Sequence, residues 1–135
     1  WLLDGVAALT GDLDPGHRFG PGAHPVVLRA QRNHPDVRFG ASRTLYHELL
    51  PTILGQRITG GEAVRQWAAL VHALGESAPG PRHDLRLPPD PARLARQPSW
   101  WFHPLGIERS RVVPLVEVAR HAQRLWEWSR LDGAA

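Results

Sequence analysis

An all-α fold is predicted by three features of this 135-residue chain. Apolar side chains recur at three- and four-residue spacing, almost no segment alternates with period two, and Pro, Gly and Asp or Ser cut the chain where helices would end. One globular unit, 1–135, is the expectation at this length. It comprises lead-in helices and loops over 1–40, a helix-turn-helix over 41–75, and a Pro-rich loop, short helices and a long final helix over 76–135.

The elements follow in order. Trp1 to Leu9, WLLDGVAAL, has enough apolar residues for a short helix stopped by Thr10-Gly11. Gly11 to Pro25 is Gly, Pro, Asp and His with little to bury, a long surface connection. Pro25 suits the first position of a helix that carries Val26, Val27, Ala30 and Gln31 on one face and stops at His34-Pro35. Ser42 is the N-cap candidate for the next helix, which runs through Leu45, Leu49, Ile53 and Leu54 with Pro51 kinking its interior. A helix from Gly60 places Ala63, Val64, Trp67, Leu70, Val71 and Leu74 on one stripe, with Gly75 as its left-handed terminus. After a Pro-rich loop with a brief extended piece at Leu85-Arg86-Leu87, Asp90-Pro91 opens a short helix to about Gln97. Ser99 then caps a turn through Trp100, Trp101 and Phe102 that closes at Gly106. The last helix, Glu108 to Arg130, sets Val112, Leu115, Val116, Ala119, Ala122 and Trp126 along one side, Pro114 ending its first turn or kinking it.

Between the two strongest helices the pattern breaks at Gly55-Gln56-Arg57-Ile58-Thr59. Thr59 and Glu62 have the spacing of a capping box, the Thr hydroxyl taking the amide three residues on and the Glu reaching back to the Thr amide. The second helix therefore starts at Gly60, and Gln56 and Arg57 are presented at the junction, a good place to touch a partner.

The chain has no cysteine, so neither a disulfide nor a thiolate metal site is possible and a reducing, cytoplasmic interior is compatible. All 16 basic residues are arginine, a bias that GC-rich coding explains; the functional counterpart is that arginine is the better phosphate ligand. A net charge of +3 and a pI near 10.9 suit an acidic partner without demanding one. No stretch is long and apolar enough to span a bilayer and no signal peptide opens the chain, so a soluble, unexported protein is expected. The chain contains no methionine and opens on Trp1, and reads as cut, processed or excerpted from something longer.

Specific chemistry is sparse. His47-Glu48 opens like the zinc-protease HExxH signature, but position 51 is Pro, and no metal site is assigned. His17, His24 and His34 have no ligand spacing and read as surface residues. Trp100-Trp101-Phe102 is compatible with a base-stacking platform, though at least two of its rings are expected in the core, as is Trp67. Of Trp126 and Trp128, two apart on one helix, only one is expected to be core. No phosphate loop, Gly-x-Ser-x-Gly elbow or singled-out carboxylate pair is present.

The segment Ile53-Leu54-Gly55-Gln56-Arg57-Ile58-Thr59 resembles the I-L-x-Q-x-V-[ST] turn of the helix-hairpin-helix DNA glycosylases, in the alkylpurine branch called DNA-3-methyladenine glycosylase II. Three more segments agree in order. His34-Pro35-Asp36-Val37-Arg38-Phe39-Gly40 resembles the family's P-G-L-R lead-in. Leu87-Pro88 with Pro91 and Leu94 resembles F/V-P-x-P-x-x-L, and Leu105-Gly106-Ile107 with Arg111 resembles L-G-x-x-x-x-R-A.

The resemblance implies a multi-helix orthogonal bundle, the first part of a glycosylase helical domain. Its partner would be double-stranded DNA with a damaged base, and its chemistry would be hydrolysis of the N-glycosidic bond of alkylated purines in base-excision repair, with no cofactor and no metal. It puts the DNA contact on Gln56, Arg57, Ile58 and Thr59. Arg57 holds the position of the wedge that fills the gap left by a flipped nucleotide, and Gln56 supports it. An arginine departs from the family's apolar wedge, but a planar guanidinium still stacks and hydrogen-bonds. The family's Gly-rich hairpin and catalytic aspartate would follow the long helix, where the chain ends at Ala135. No catalytic residue is therefore assigned, and the chain alone is expected to be inactive, monomeric or packed against the missing remainder. By the same resemblance the branch's upstream β-rich portion, apart from a helix at its junction, is expected to lie outside these residues. The alternative is a non-catalytic all-α protein-interaction or DNA-binding module that docks through Trp67 and Trp100.

Overall fold

The computed structural model describes residues 5–14, 16 and 19–129. Among them the regular structure is helical, with no strand beyond an isolated bridge between Ser77 and Arg86. The expected all-α class is what the chain adopts. It divides into two compact units, Trp1–Arg43 and Thr44–Ala135.

In the first unit, α1 (Val6–Thr10) ends on Gly11, whose φ of 81° supplies the left-handed terminus. The expected helix over 1–9 lies partly outside the described residues. α2 (Pro25–Asn33) begins with proline at its first position, as expected, and the His24 ring nitrogen accepts the Val26 amide at 3.3 Å. The segment after α2 folds back along α1: the Ala41 amide donates to the Ala8 carbonyl at 2.7 Å, and the Phe39 amide to Asp14 Oδ2 at 2.9 Å. No residue of α2 is buried, so its apolar face lines an open groove with Phe19, Val37 and Phe39.

The second unit holds the core. α3 (Leu45–Leu54) contacts α4 (Gly60–Leu74), α6 (Arg109–Arg120) and α7 (Ala122–Trp128); α5 (Pro91–Ala95) packs on α6, and a 3-10 helix over Ser99–Leu105 touches α4 and α6. Leu50, Leu54, Leu70, Leu94, Phe102, Ile107 and Leu115 are fully enclosed at the centre. Tyr46 joins them and donates its hydroxyl to the Pro89 carbonyl at 2.9 Å, tying α3 to the approach of α5.

Several local expectations change. α3 starts at Leu45 with Thr44 rather than Ser42 as N-cap, because Arg43 has a left-handed backbone (φ 54°) that a helix capped at Ser42 could not contain. Gly75 is extended (φ −75°, ψ 147°), not left-handed. Its value is size: a Cβ there would overlap the Leu87 and Val71 carbonyl oxygens. Asp90 caps α5 as expected, accepting the Arg93 amide at 3.0 Å, but α5 ends at Ala95. Pro98, not Ser99, precedes the 3-10 helix, which closes on Gly106 at φ 74°.

The long last helix is broken. At His121 (φ −102°, ψ 12°) the backbone leaves helical geometry, which separates α6 from an α7 that turns onto α3. Arg130 lies outside the described residues. Trp126 and Trp128 are both about half exposed, so neither is core; the Trp128 ring instead carries the Arg124 guanidinium at 5.3 Å.

Candidate DNA-contact turn

Helix α3 ends because Gly55 and Gln56 close a last turn, their amides donating to Pro51 and Ile53 carbonyls at 2.9 and 3.2 Å. Arg57 then adopts φ 60°, a left-handed conformation that costs a non-glycine residue about 1 kcal/mol or more. This reverses the chain. Thr59 returns it to extended geometry and caps α4, its hydroxyl accepting the Glu62 amide at 3.3 Å.

Only half of the capping box forms. The Glu62 carboxylate does not reach back to Thr59 but accepts from Gln66 Nε2 at 3.1 Å, and the same Gln66 nitrogen donates to the Gly106 carbonyl at 2.7 Å. Gln66, 4% exposed, therefore takes an inward position that the apolar pattern had given to its neighbours, and Val64 is left 67% exposed. The predicted stripe was rotated relative to the real one: the Gln66 amide nitrogen finds two acceptors inside, while its Oε1 is buried without a partner among the described residues, so the inward position is held by the nitrogen's bonds at the cost of an unsatisfied oxygen.

All four predicted contact residues lie on this one turn: Gln56, Arg57 and Thr59 exposed, Ile58 half-buried. Arg57 has no hydrogen-bond or ion-pair partner among the described residues and projects from the apex. The N-terminus of the 15-residue α4 follows two residues later, its positive end offset by the Glu62 carboxylate in the first turn.

Beneath the turn sits a residue whose role the sequence did not reveal. Arg111 is 5% exposed, in the first turn of α6, and its Nη1 donates to the Gln56 carbonyl at 3.5 Å. Its Nε has no partner and no carboxylate pairs with it among the described residues. The signal was an arginine beside the apolar positions Ile107, Val112 and Leu115, which marks a cation on the inward face.

No family model and no curated protein matches the chain. The turn's geometry therefore stands on its own. Of the aromatic run, Phe102 is fully buried and Trp101 packs edge-on against it at 5.2 Å between centroids, while Trp100 is 69% exposed. Two rings go to the core, as expected, and one to the surface. Trp67 is partly buried against the core. His24 and His34 are exposed, whereas His17 lies outside the described residues. His47, beside Tyr46 on α3, has its pKa lowered by partial desolvation, an effect that Glu48 opposes. Among the described residues no helix is long and apolar enough to cross a membrane.

Proposed function

We propose that the Thr44–Ala135 unit is a DNA-binding part of a glycosylase-like base-excision repair protein, and that it engages duplex DNA at a damaged base through the Gly55–Thr59 turn. The observation that carries this reading is the exposed, unpaired Arg57 at the left-handed apex of a turn anchored at both ends by helices. A side chain held this way reaches beyond its neighbours, and its rigid base limits the entropy lost when it enters a gap in a base stack. An arginine there stacks by its planar face and donates to the unpaired base opposite. The four motifs that resemble the alkylpurine branch add the choice of partner, DNA whose damaged nucleotide is easily flipped. The family's orthogonal bundle belongs to the same proposal, as do a cytoplasmic location and a chain that is monomeric or packed against the remainder of its domain. No residue of the chain is assigned to bond cleavage.

The test is affinity for a duplex with one abasic site against the same duplex undamaged. Arg57→Ala should lower affinity for the abasic duplex about tenfold or more with little change for the undamaged one. Equal affinities of the unaltered and Arg57→Ala proteins for the abasic duplex would sink the wedge assignment.

A second reading is favoured by one observation, the exposed Trp100 ring: a helical module that docks another protein through that surface. Salt separates the two. Each phosphate contact contributes roughly 0.9 to the slope of log affinity against log salt, whereas docking through apolar rings responds weakly.

A further inference from the structure

The peptide linking Gln56 to Arg57 is a single rigid plane, so whatever grips the Gln56 carbonyl also sets φ at Arg57. No backbone amide among the described residues donates to that carbonyl; the donor that faces it is Nη1 of Arg111, from α6, at 3.5 Å, the long end of hydrogen-bond range. A buried guanidinium without a carboxylate is costly to keep, and replacing it by an apolar side chain would ordinarily be neutral or favourable. The cation is nonetheless enclosed under the one turn of this unit whose backbone, among the described residues, is left-handed at a non-glycine residue.

We propose that Arg111 is a positioning residue for the Gly55–Thr59 turn: its buried guanidinium holds the Gln56 carbonyl inward and so keeps Arg57 in the left-handed conformation that projects its side chain. Without that donor the Gln56–Arg57 peptide is free to flip, because Arg57 gains by returning to negative φ. As a role in DNA recognition, this rests on the reading of the turn given above. As a statement about the backbone, it does not.

The experiment uses the 135-residue chain, isotopically labelled, with Arg111→Met and Arg111→Lys variants. In the methionine variant the left-handed carbon chemical shifts of Arg57 should vanish or average, and amide exchange at residues 57–59 should accelerate at least fivefold relative to the Leu70 and Leu115 amides. The lysine variant, which keeps a charged donor, should restore most of both signals. Unchanged Arg57 shifts in the methionine variant, or equal acceleration of all amides, would overturn the proposal. If that variant does not fold, the unaltered protein still decides. The Arg111 Nη protons should exchange with water far more slowly than those of the exposed arginines, and equal rates would overturn it. On DNA, Arg111→Met should lower the preference for abasic over undamaged duplex about fivefold, and Arg111→Lys should recover it. Absence of any preference in the unaltered chain would overturn the DNA reading alone and leave the backbone measurement to judge Arg111.

Discussion

Tyr46 shows how much one side chain reports in this composition. The chain has one tyrosine, no cysteine and only arginine among its basic residues. In the unfolded chain the side chain that titrates between about pH 9 and 12 is therefore Tyr46. Burial, and secondarily the charge of Asp90, raise its pKa well above the ordinary value of about 10. The folded state thus holds the phenolic proton after the unfolded state has lost it. Stability is complete below about pH 10 and falls as pH rises from there toward the folded pKa. Chemical denaturation at stepped pH should show this loss, and Tyr46→Phe should flatten it while costing about 1 kcal/mol at pH 7 for the hydrogen bond to Pro89. Arg57 makes a complementary point. Arg57→Gly removes the side chain but suits the left-handed backbone, so relief of strain and the added chain entropy of glycine should cancel to within about 1 kcal/mol. Thermal melts should be nearly superimposable while abasic-site affinity falls, which separates recognition from folding.

The helices were legible where the signal was local. The Pro25 start, the Asp90-Pro91 cap and the Thr59 cap depend on residues within three or four positions of one another, and each formed. Signals that needed a distant neighbour failed. Gly75 has the look of a helix-ending glycine, but its role is set by Leu87, whose carbonyl passes where a Cβ would stand. Gly75→Ala should therefore cost about 1–3 kcal/mol despite an ordinary backbone conformation, because the obstructing atoms are backbone and cannot rotate aside. A calorimetric scan unchanged within error would show that the 75–87 segment gives way. Gln66 misled for the same reason: nothing near it in sequence announces the Gly106 carbonyl that makes its burial possible.

Across the molecule, stability is concentrated in the Thr44–Ala135 unit. Its enclosed side chains come from five separate stretches: α3, α4, α5, the 3-10 helix with Ile107, and α6. In the Trp1–Arg43 unit Ala8 is the buried apolar side chain among the described residues, and α2 exposes Val26. Truncation should register accordingly. Phe102→Ala, at zero exposure, should cost about 3–5 kcal/mol in denaturant unfolding, and Val26→Ser should stay within about 0.5 kcal/mol. A Val26→Ser effect as large as that of Phe102→Ala would mean that the groove is closed in solution.

The sequence by itself determined the helical class, the placement of most helices, and a polar arginine-bearing turn between α3 and α4. Those properties rest on periodicity and capping, which act over a few residues. Only the tertiary structure decided that Arg57 stands in a left-handed turn, that Gln66 and Arg111 face inward, and that the last helix breaks at His121. Gln66 and Arg111 each donate to a carbonyl brought from far along the chain, Gly106 and Gln56, and α7 packs on α3, contacts that no local pattern reaches.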